Sequence, residues 1–474
     1  MELLIDIDRS GGREPLHVQL ERALREGIRA GRLLPETRLP ASRTLADELG
    51  ISRGRVVEAY AQLAAEGYVV ARRGSCTRVA AVPTAPAGRE DQPTQAEVEI
   101  DLRPGTPSLA HFPRSAWTRA LRRVLQRAPD AALASYDARG AADLRIALAR
   151  YLNRARGTVA DPARMVVCSG AMQGITLLGR ALRARGARRV AVEDPGYPLH
   201  RAALEQAGLE PVGVPVDEDG LDVSMLWKLH VDAVLITPAH QFPTGVALSP
   251  RRRSALADWA RERDTLVVED DYDGEFRYDR QPVGTLQGLA PEQVAYLGSA
   301  SKWLAPGLRL GWLVLPDSLV GPVAQEKALD DMGSEVFGQL ALADLLEDTV
   351  LDRHLRRMRR VYQARRNALT SALHRALPGA EVRGIAAGLQ ALVVLPPDVD
   401  ELRVIALART LGIGLTGLSE YRLSAPQPRG ALVVGYANVP EATIERAVPE
   451  LARSVELARA QPRGVRQVGE ARIR

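Results

Sequence analysis

Residues 299–311 read Ser-Ala-Ser-Lys-Trp-Leu-Ala-Pro-Gly-Leu-Arg-Leu-Gly. They hold one of only three lysines, Lys228, Lys302 and Lys327, in a chain with 63 Lys plus Arg. Arginine keeps its proton at any physiological pH. A desolvated lysine can lose its proton, and the free amine then attacks carbonyls. Covalent chemistry with an aldehyde therefore needs lysine and cannot use arginine. Scarce lysine has a bland cause in a GC-rich genome, so Lys302 has to be judged by its neighbours. It stands just past a short apolar run, 294–298, that reads as a buried strand. Lys228 and Lys327 fall on helical stretches of surface character and serve as the comparison.

Further apolar runs lie at 165–168, 189–192, 233–237, 266–269 and 310–314, separated by helical patterns such as 174–185 and 250–263. This alternation predicts an α/β domain around a mostly parallel central sheet. Ligands of such sheets bind beyond the carboxyl ends of the strands. After strand 165–168 come Ser169, Gly170 and Ala171, which open a helix whose free N–H groups suit a phosphate. Strand 266–269 runs into Asp270, Asp271, Tyr272 and Asp273. Such acids are either solvated or, pointing into the cleft, able to bind a cation or a protonated ring nitrogen. The helix start and Arg309 can hold a phosphate, Asp270 a pyridinium nitrogen and Tyr272 a phenolate oxygen. Tyr197 can cover an aromatic ring. Together these are the needs of pyridoxal phosphate.

The first 80 residues read differently. An amphipathic helix at 16–30 precedes two short helices joined by a tight turn, one between Ser42 and Gly50 and one at 53–66. Ser42 and Ser52 are expected as their caps, with Gly50 and Gly67 as their stops. A strand–turn–strand wing follows, with Arg72 and Arg73 at its tip. Ser52, Arg53 and Arg55 begin the second short helix, the end that enters a major groove, where arginine can bond a guanine edge. Arg43 is placed to hold phosphate. Residues 1–80 carry 13 Arg against 11 Asp plus Glu. The arrangement, more than bulk charge, therefore points to DNA.

Residues 81–98 hold three prolines and read as a linker, and 461–474 reads as a loose tail. The expected domains are thus 1–80 and 99–460. The acidic N-terminus and the lack of an apolar run of about 18 residues predict a cytoplasmic protein without membrane spans. Cys76 and Cys168 read as reduced buried thiols, and no histidine spacing suggests a metal.

Residues 15–79, with "RLPASRTLA" and "GISRGRV", resemble the GntR-type winged helix-turn-helix. Residues from about 100 to 455 resemble a fold-type-I aminotransferase, through "SGA", "EDPGYP", "HQFPTG", "EDDYDGEF", "GSASK" and "PGLRLGW". The two in this order, with "HFPRSAWTRAL" and "VVEDDYDGEFRYD", resemble the MocR/GabR family of bacterial regulators. The resemblance implies Lys302 as the internal aldimine, Asp270 on the ring nitrogen, Tyr272 near the ring oxygen and Tyr197 stacked on the ring. It places Gly170, Ala171, Ser299 and Arg309 around the phosphate. Tyr136, in "SYDARG", would reach the phosphate of a neighbouring subunit, although its spacing to Gly140 is one residue short of the usual pattern. A homodimer on paired operator half-sites is implied, with pyridoxal phosphate, an amino acid or an amine as effector.

Two departures from catalytic aminotransferases stand out. Phe242 replaces the asparagine that bonds the ring oxygen, leaving His240 and Gln241 as candidates to compensate. Strand 431–436 lacks the substrate-binding arginine, so Arg422 is preferred over Arg429 for a carboxylate. Both departures point to a site that captures a ligand better than it turns one over. The alternative is a working aminotransferase with a DNA-binding appendage.

Overall fold

The structure, a computed structural model, describes residues 14–70, 76–81, 98–134, 137–278, 283–424 and 429–460. It divides into two compact units, Met1–Ala96 and Glu97–Arg474. Of the expected linker only residues 81 and 98 are described; the expected tail, Arg72, Arg73 and Tyr136 lie outside the described residues.

The first unit has helices α1 (Leu16–Arg29), α2 (Ser42–Leu49) and α3 (Arg53–Ala65), then strands β1 (Val69–Val70) and β2 (Arg78–Val79). Leu20, Leu24, Leu45, Val56 and Leu63 form one core with both strands. The four-residue spacing of the leucines in α1 put them on one face. Gly50 ends α2 at φ 58°, the left-handed turn that starts α3. The expected serine caps are not made. Ala41 precedes the first turn of α2, and Ser52 precedes α3 without a side-chain cap bond. Ser42 lies inside its helix and accepts from Arg53 Nε at 3.5 Å. Arg25 clasps Glu66 with bonds of 2.9 and 2.8 Å, and Arg29 Nε donates to the Tyr68 hydroxyl at 2.7 Å. These contacts tie α1 to the chain leaving α3.

The second unit begins with β3 (Ile100–Asp101). Its main strands are β4 (Met165–Cys168), β5 (Arg189–Asp194), β6 (Glu210–Asp217), β7 (Gly220–Leu221), β8 (Ala233–Ile236), β9 (Leu266–Asp270), β10 (Val294–Ser299) and β11 (Gly311–Val314). They form one sheet in the order β4-β11-β10-β9-β8-β5-β6-β7. The strands from β10 to β6 run parallel, while β11 is antiparallel to both β10 and β4. The connection from β10 to β11 is too short for a crossover, so the chain must turn back. Both faces are covered. Val190, Val192, Ala233 and Leu235 pack on one side; Ala191, Val234 and Ile236 pack on the other. That double burial explains the continuous apolar runs. Strands β12 (Glu381–Arg383), β13 (Gln390–Val394), β15 (Thr416–Gly417) and β16 (Ala431–Gly435) make a second, antiparallel sheet, while β14 (Ile413–Gly414) pairs with β3.

Because β4, β5, β8, β9 and β10 point the same way, the segments after Cys168, Asp194, Ile236, Asp270 and Ser299 emerge at one edge. The antiparallel β11 starts there, which brings Arg309 to the same place.

Leu63 is fully buried. Leu63→Ala is expected to destabilise the first unit by about 2–5 kcal/mol, read from its denaturant unfolding curve.

Candidate cofactor site and nucleic-acid interface

Lys302 sits in the turn between β10 and β11. Trp303 beside it is buried; its Nε1 donates to Glu275 Oε2 at 2.8 Å and its carbonyl lies 2.9 Å from His354 Nε2. The turn is closed by Ala300 N donating to Leu310 O at 2.9 Å. The Lys302 ammonium reaches the carbonyl of Gly105. Burial lowers the Lys302 pKa, and the carboxylates of Asp273 and Asp270 act against that shift. Lys228 is exposed, as expected, but it lies in the turn after the short helix Val223–Leu226 rather than on a helix. Lys327 is not: it is fully buried, so its apparent surface character was misleading.

The acids at the end of β9 and just after it are buried rather than solvated. Glu269 accepts from Leu286 N and Gln287 N, each at 2.9 Å. Asp271 takes two bonds from Arg156, at 2.7 and 2.9 Å. Asp273 Oδ2 lies 2.9 Å from His240 Nδ1. Asp270 Oδ2 lies 3.1 Å from His200 Nε2, while its Oδ1 is buried with no partner among the described residues. A buried carboxylate oxygen without a donor is costly unless something supplies one. A protonated ring nitrogen is such a donor.

Tyr272 is held by Gln390, whose Nε2 donates to its hydroxyl at 2.9 Å, and by His240 Nδ1 at 3.1 Å. Gln241 is turned away: its amide donates to Pro195 O at 2.9 Å and its oxygen accepts from Thr244. Of the two candidates for the missing asparagine, His240 is therefore the one beside Tyr272. Tyr197 precedes the helix Pro198–Gln206. Its ring centroid lies 5.1 Å from that of His200 and 5.4 Å from that of Phe242. Phe242 also packs edge-on against Tyr421 at 5.1 Å.

Gly170 precedes the helix Ala171–Ala184 at φ 90°, and no side chain caps that helix. That positive φ favours glycine, and a Cβ there would also crowd Arg309 Nη2 at 2.7 Å. Arg309 Nη2 donates to Ser169 O at 2.6 Å. Ser299 is buried and pairs across the ladder with Gly311. Gly170, Ala171, Ser299 and Arg309 thus converge, with open N–H groups and a guanidinium to receive an anion.

Arg422 is half-buried and its side chain has no partner among the described residues. Its segment is pinned by Asp194, which accepts from Leu423 N and Ser424 N, both at 2.9 Å. Arg429 is exposed. Sequence reading did not single out His200, Gln390 or Gly105, and it named Asp273 only as one of the acids that follow strand 266–269. His200 had a faint signal, three residues after Tyr197; Gln390 and Gly105 had none.

In the first unit Arg43, Ser52, Arg53 and Arg55 are exposed, the last three at the start of α3. Arg55 Nη1 lies 3.3 Å from His17 Nδ1.

A desolvated lysine, a carboxylate with an open oxygen and an anion-receiving helix start share one edge of a mostly parallel sheet. That is a fold-type-I, pyridoxal-phosphate-dependent domain. Residues 98–451 match the family described as "Aminotransferase class I and II", and residues 16–79 match "Bacterial regulatory proteins, gntR family". The pyridoxine biosynthesis transcriptional regulator PdxR of Corynebacterium glutamicum is 35% identical, over 93% of this chain and 96% of its own. The probable rhizopine catabolism regulatory protein MocR of Rhizobium meliloti is 31% identical over 94% of each. Among solved structures, kynurenine aminotransferase of Pyrococcus horikoshii superposes with a TM-score of 0.70 at 27% identity, covering 76% of this chain and 91% of that one. The chain belongs to the MocR/GabR family of helix-turn-helix transcriptional regulators, with pyridoxal phosphate as the cofactor of its aminotransferase-like domain.

Glu193, at the end of β5, is fully enclosed and accepts from Thr237 N at 3.1 Å and Thr237 Oγ1 at 2.5 Å. Burial raises its pKa from 4.5 to about 7. The folded chain therefore holds this proton more tightly than the unfolded chain. Its stabilising contribution is complete below about pH 4.5 and is lost as the pH rises toward 7, a swing of about 3 kcal/mol. Glu193→Gln lacks that loss. Its stability should gain on wild type by up to about that amount between pH 4.5 and 8, read from denaturant midpoints.

Proposed function

We propose that this regulator reads the supply of pyridoxal phosphate by capturing it on Lys302, and that capture alters operator binding. The observation that carries this reading is the pairing of a desolvated Lys302 with the unpartnered Oδ1 of Asp270. When bound, the cofactor supplies an aldehyde for an amine and a ring that withdraws electrons once its nitrogen is protonated. Lys302 presents its amine at the strand edge. Asp270, oriented by His200, offers Oδ1 to the ring nitrogen. Tyr272, held by Gln390 and His240, faces the ring oxygen, and Tyr197 covers a ring face. Gly170, Ala171, Ser299 and Arg309 receive the phosphate. The name of the Corynebacterium relative, a regulator of pyridoxine biosynthesis, supports the cofactor itself as the signal.

A second effector class has its own support. Arg422 is a half-buried cation with no side-chain partner among the described residues, suited to a carboxylate. An amino acid displacing Lys302 would use it.

The domains proposed are 1–80 for DNA and 99–460 for the effector, joined by 81–98. The chain works as a homodimer on paired half-sites, with Tyr136 completing a neighbour's phosphate site. Arg53 and Arg55 read bases, while Arg43, Arg72 and Arg73 hold backbone. Such a regulator acts where bacterial DNA is, in the cytoplasm. Among the described residues no helix is long and apolar enough to cross a membrane.

Pyridoxal phosphate should produce an absorbance band near the visible edge, and borohydride should then fix it on Lys302. Lys302→Ala should abolish both, together with any effect of the cofactor on operator gel shifts. A wild-type operator affinity indifferent to pyridoxal phosphate and to amino acids would refute the sensing role. In the DNA-binding unit, Arg53→Ala is expected to cost about 1–3 kcal/mol of operator affinity and to relax preference at one base position, read by competition binding.

A further inference from the structure

With the cofactor phosphate placed against Gly170 and Ala171 as proposed above, we propose that Lys327 is a positioning residue of the phosphate loop, clamping Ser169 from beneath. Lys327 lies in the helix Asp317–Asp331 and is fully buried. Its three ammonium protons have three acceptors: Gln173 Oε1 at 2.9 Å, Ser334 Oγ at 2.8 Å and Asp331 Oδ2 at 2.5 Å. Two of those three acceptors in turn hold Ser169. Gln173 Oε1 accepts from Ser169 N at 2.7 Å, and Ser334 Oγ lies 3.1 Å from Ser169 Oγ. The Ser169 carbonyl is taken by Arg309. The residue just before Gly170 is therefore fixed at its amide, hydroxyl and carbonyl, with Lys327 behind the first two.

The rest of the clamp is equally determined. The Gln173 amide nitrogen donates to Asp330 Oδ2 at 2.7 Å and Asp331 Oδ2 at 2.9 Å, and Arg180 bonds Asp330 at 2.8 Å. This fixes which end of the amide faces Ser169. A lysine that merely closed its own helix would need only Asp331, one turn away. It would not be fully buried with its remaining protons on Gln173 and Ser334. An ammonium sends three protons in divergent directions, which a planar guanidinium cannot do. That geometry accounts for a lysine here in a chain that otherwise uses arginine. The positive charge under the loop also suits a dianionic ligand above it.

Full-length wild type, Lys327→Met and Lys327→Met/Asp331→Asn are titrated with pyridoxal phosphate and with pyridoxal, following the Lys302-dependent band. Pyridoxal has the same ring and aldehyde but no phosphate. The double variant also removes the Asp331 charge that the lost ammonium balanced, so a folding defect of the single variant does not decide the result. The dissociation constant for pyridoxal phosphate should rise about tenfold or more in the variants, and that for pyridoxal by less than about twofold. Lys327→Arg should not restore it. Equal weakening of both ligands, or unchanged affinity for pyridoxal phosphate, overturns the role of Lys327 alone. A wild-type chain that forms no band with either aldehyde overturns the cofactor placement, and the clamp with it.

Discussion

An amine stays uncharged near neutral pH only where the loss of water outweighs the pull of nearby carboxylates. That contest is set up at Lys302. Burial disfavours the ammonium, while Asp273 and Asp270 favour it. Those carboxylates have partners of their own. Asp271 is occupied by Arg156, Asp273 by His240, and one oxygen of Asp270 by His200. Two oxygens of these carboxylates keep no partner among the described residues, Asp273 Oδ1 and Asp270 Oδ1, and the second stands at the end of β9. Most of the sheet edge can be understood as support for that amine and that oxygen.

The same edge explains the departures from a transaminase. Phe242 stands where such enzymes place an asparagine, and its ring packs against Tyr197 and Tyr421. His240, braced by Asp273, takes the place beside Tyr272. Gly388 makes room for this pair, since a Cβ there would collide with the His240 ring. An aromatic wall and a fixed histidine give a rigid receptacle, in keeping with the proposed sensing role. The DNA-binding unit needs no comparable chemistry. Its exposed arginines sit at the start of a helix fixed by an apolar core and by the Arg25–Glu66 clasp.

The legible part of the site consists of residues whose chemistry admits few substitutes. A Schiff-base nucleophile must be lysine, a ring-nitrogen partner must be an acid at a strand end, and a tight phosphate turn must be glycine. Lys302, Asp270 and Gly170 could be read for those reasons, and Arg309 by its nearness to Lys302. Residues that act through partners distant in the chain were not legible. Gln390 reaches Tyr272 across 118 residues, and Ser334 reaches Ser169 across 165. Lys327 was misread because helical periodicity reports only the neighbours on its own helix. The serine caps failed for a related reason: capping residues were present, but the backbone placed Ser42 one position inside α2.

The amino-acid sequence alone determined the two-part architecture, the helix-turn-helix and the α/β alternation, and it singled out Lys302 as the lysine to examine. Each of these follows from local periodicity or from side-chain chemistry that no other residue supplies. Only the tertiary structure decided that β11 runs backwards and brings Arg309 to Gly170, that the acids at the end of β9 and just after it are buried and separately partnered, and that Lys327 is buried against the two residues that hold Ser169. Those features depend on which segments meet in space, and a pattern read along one chain does not contain that information.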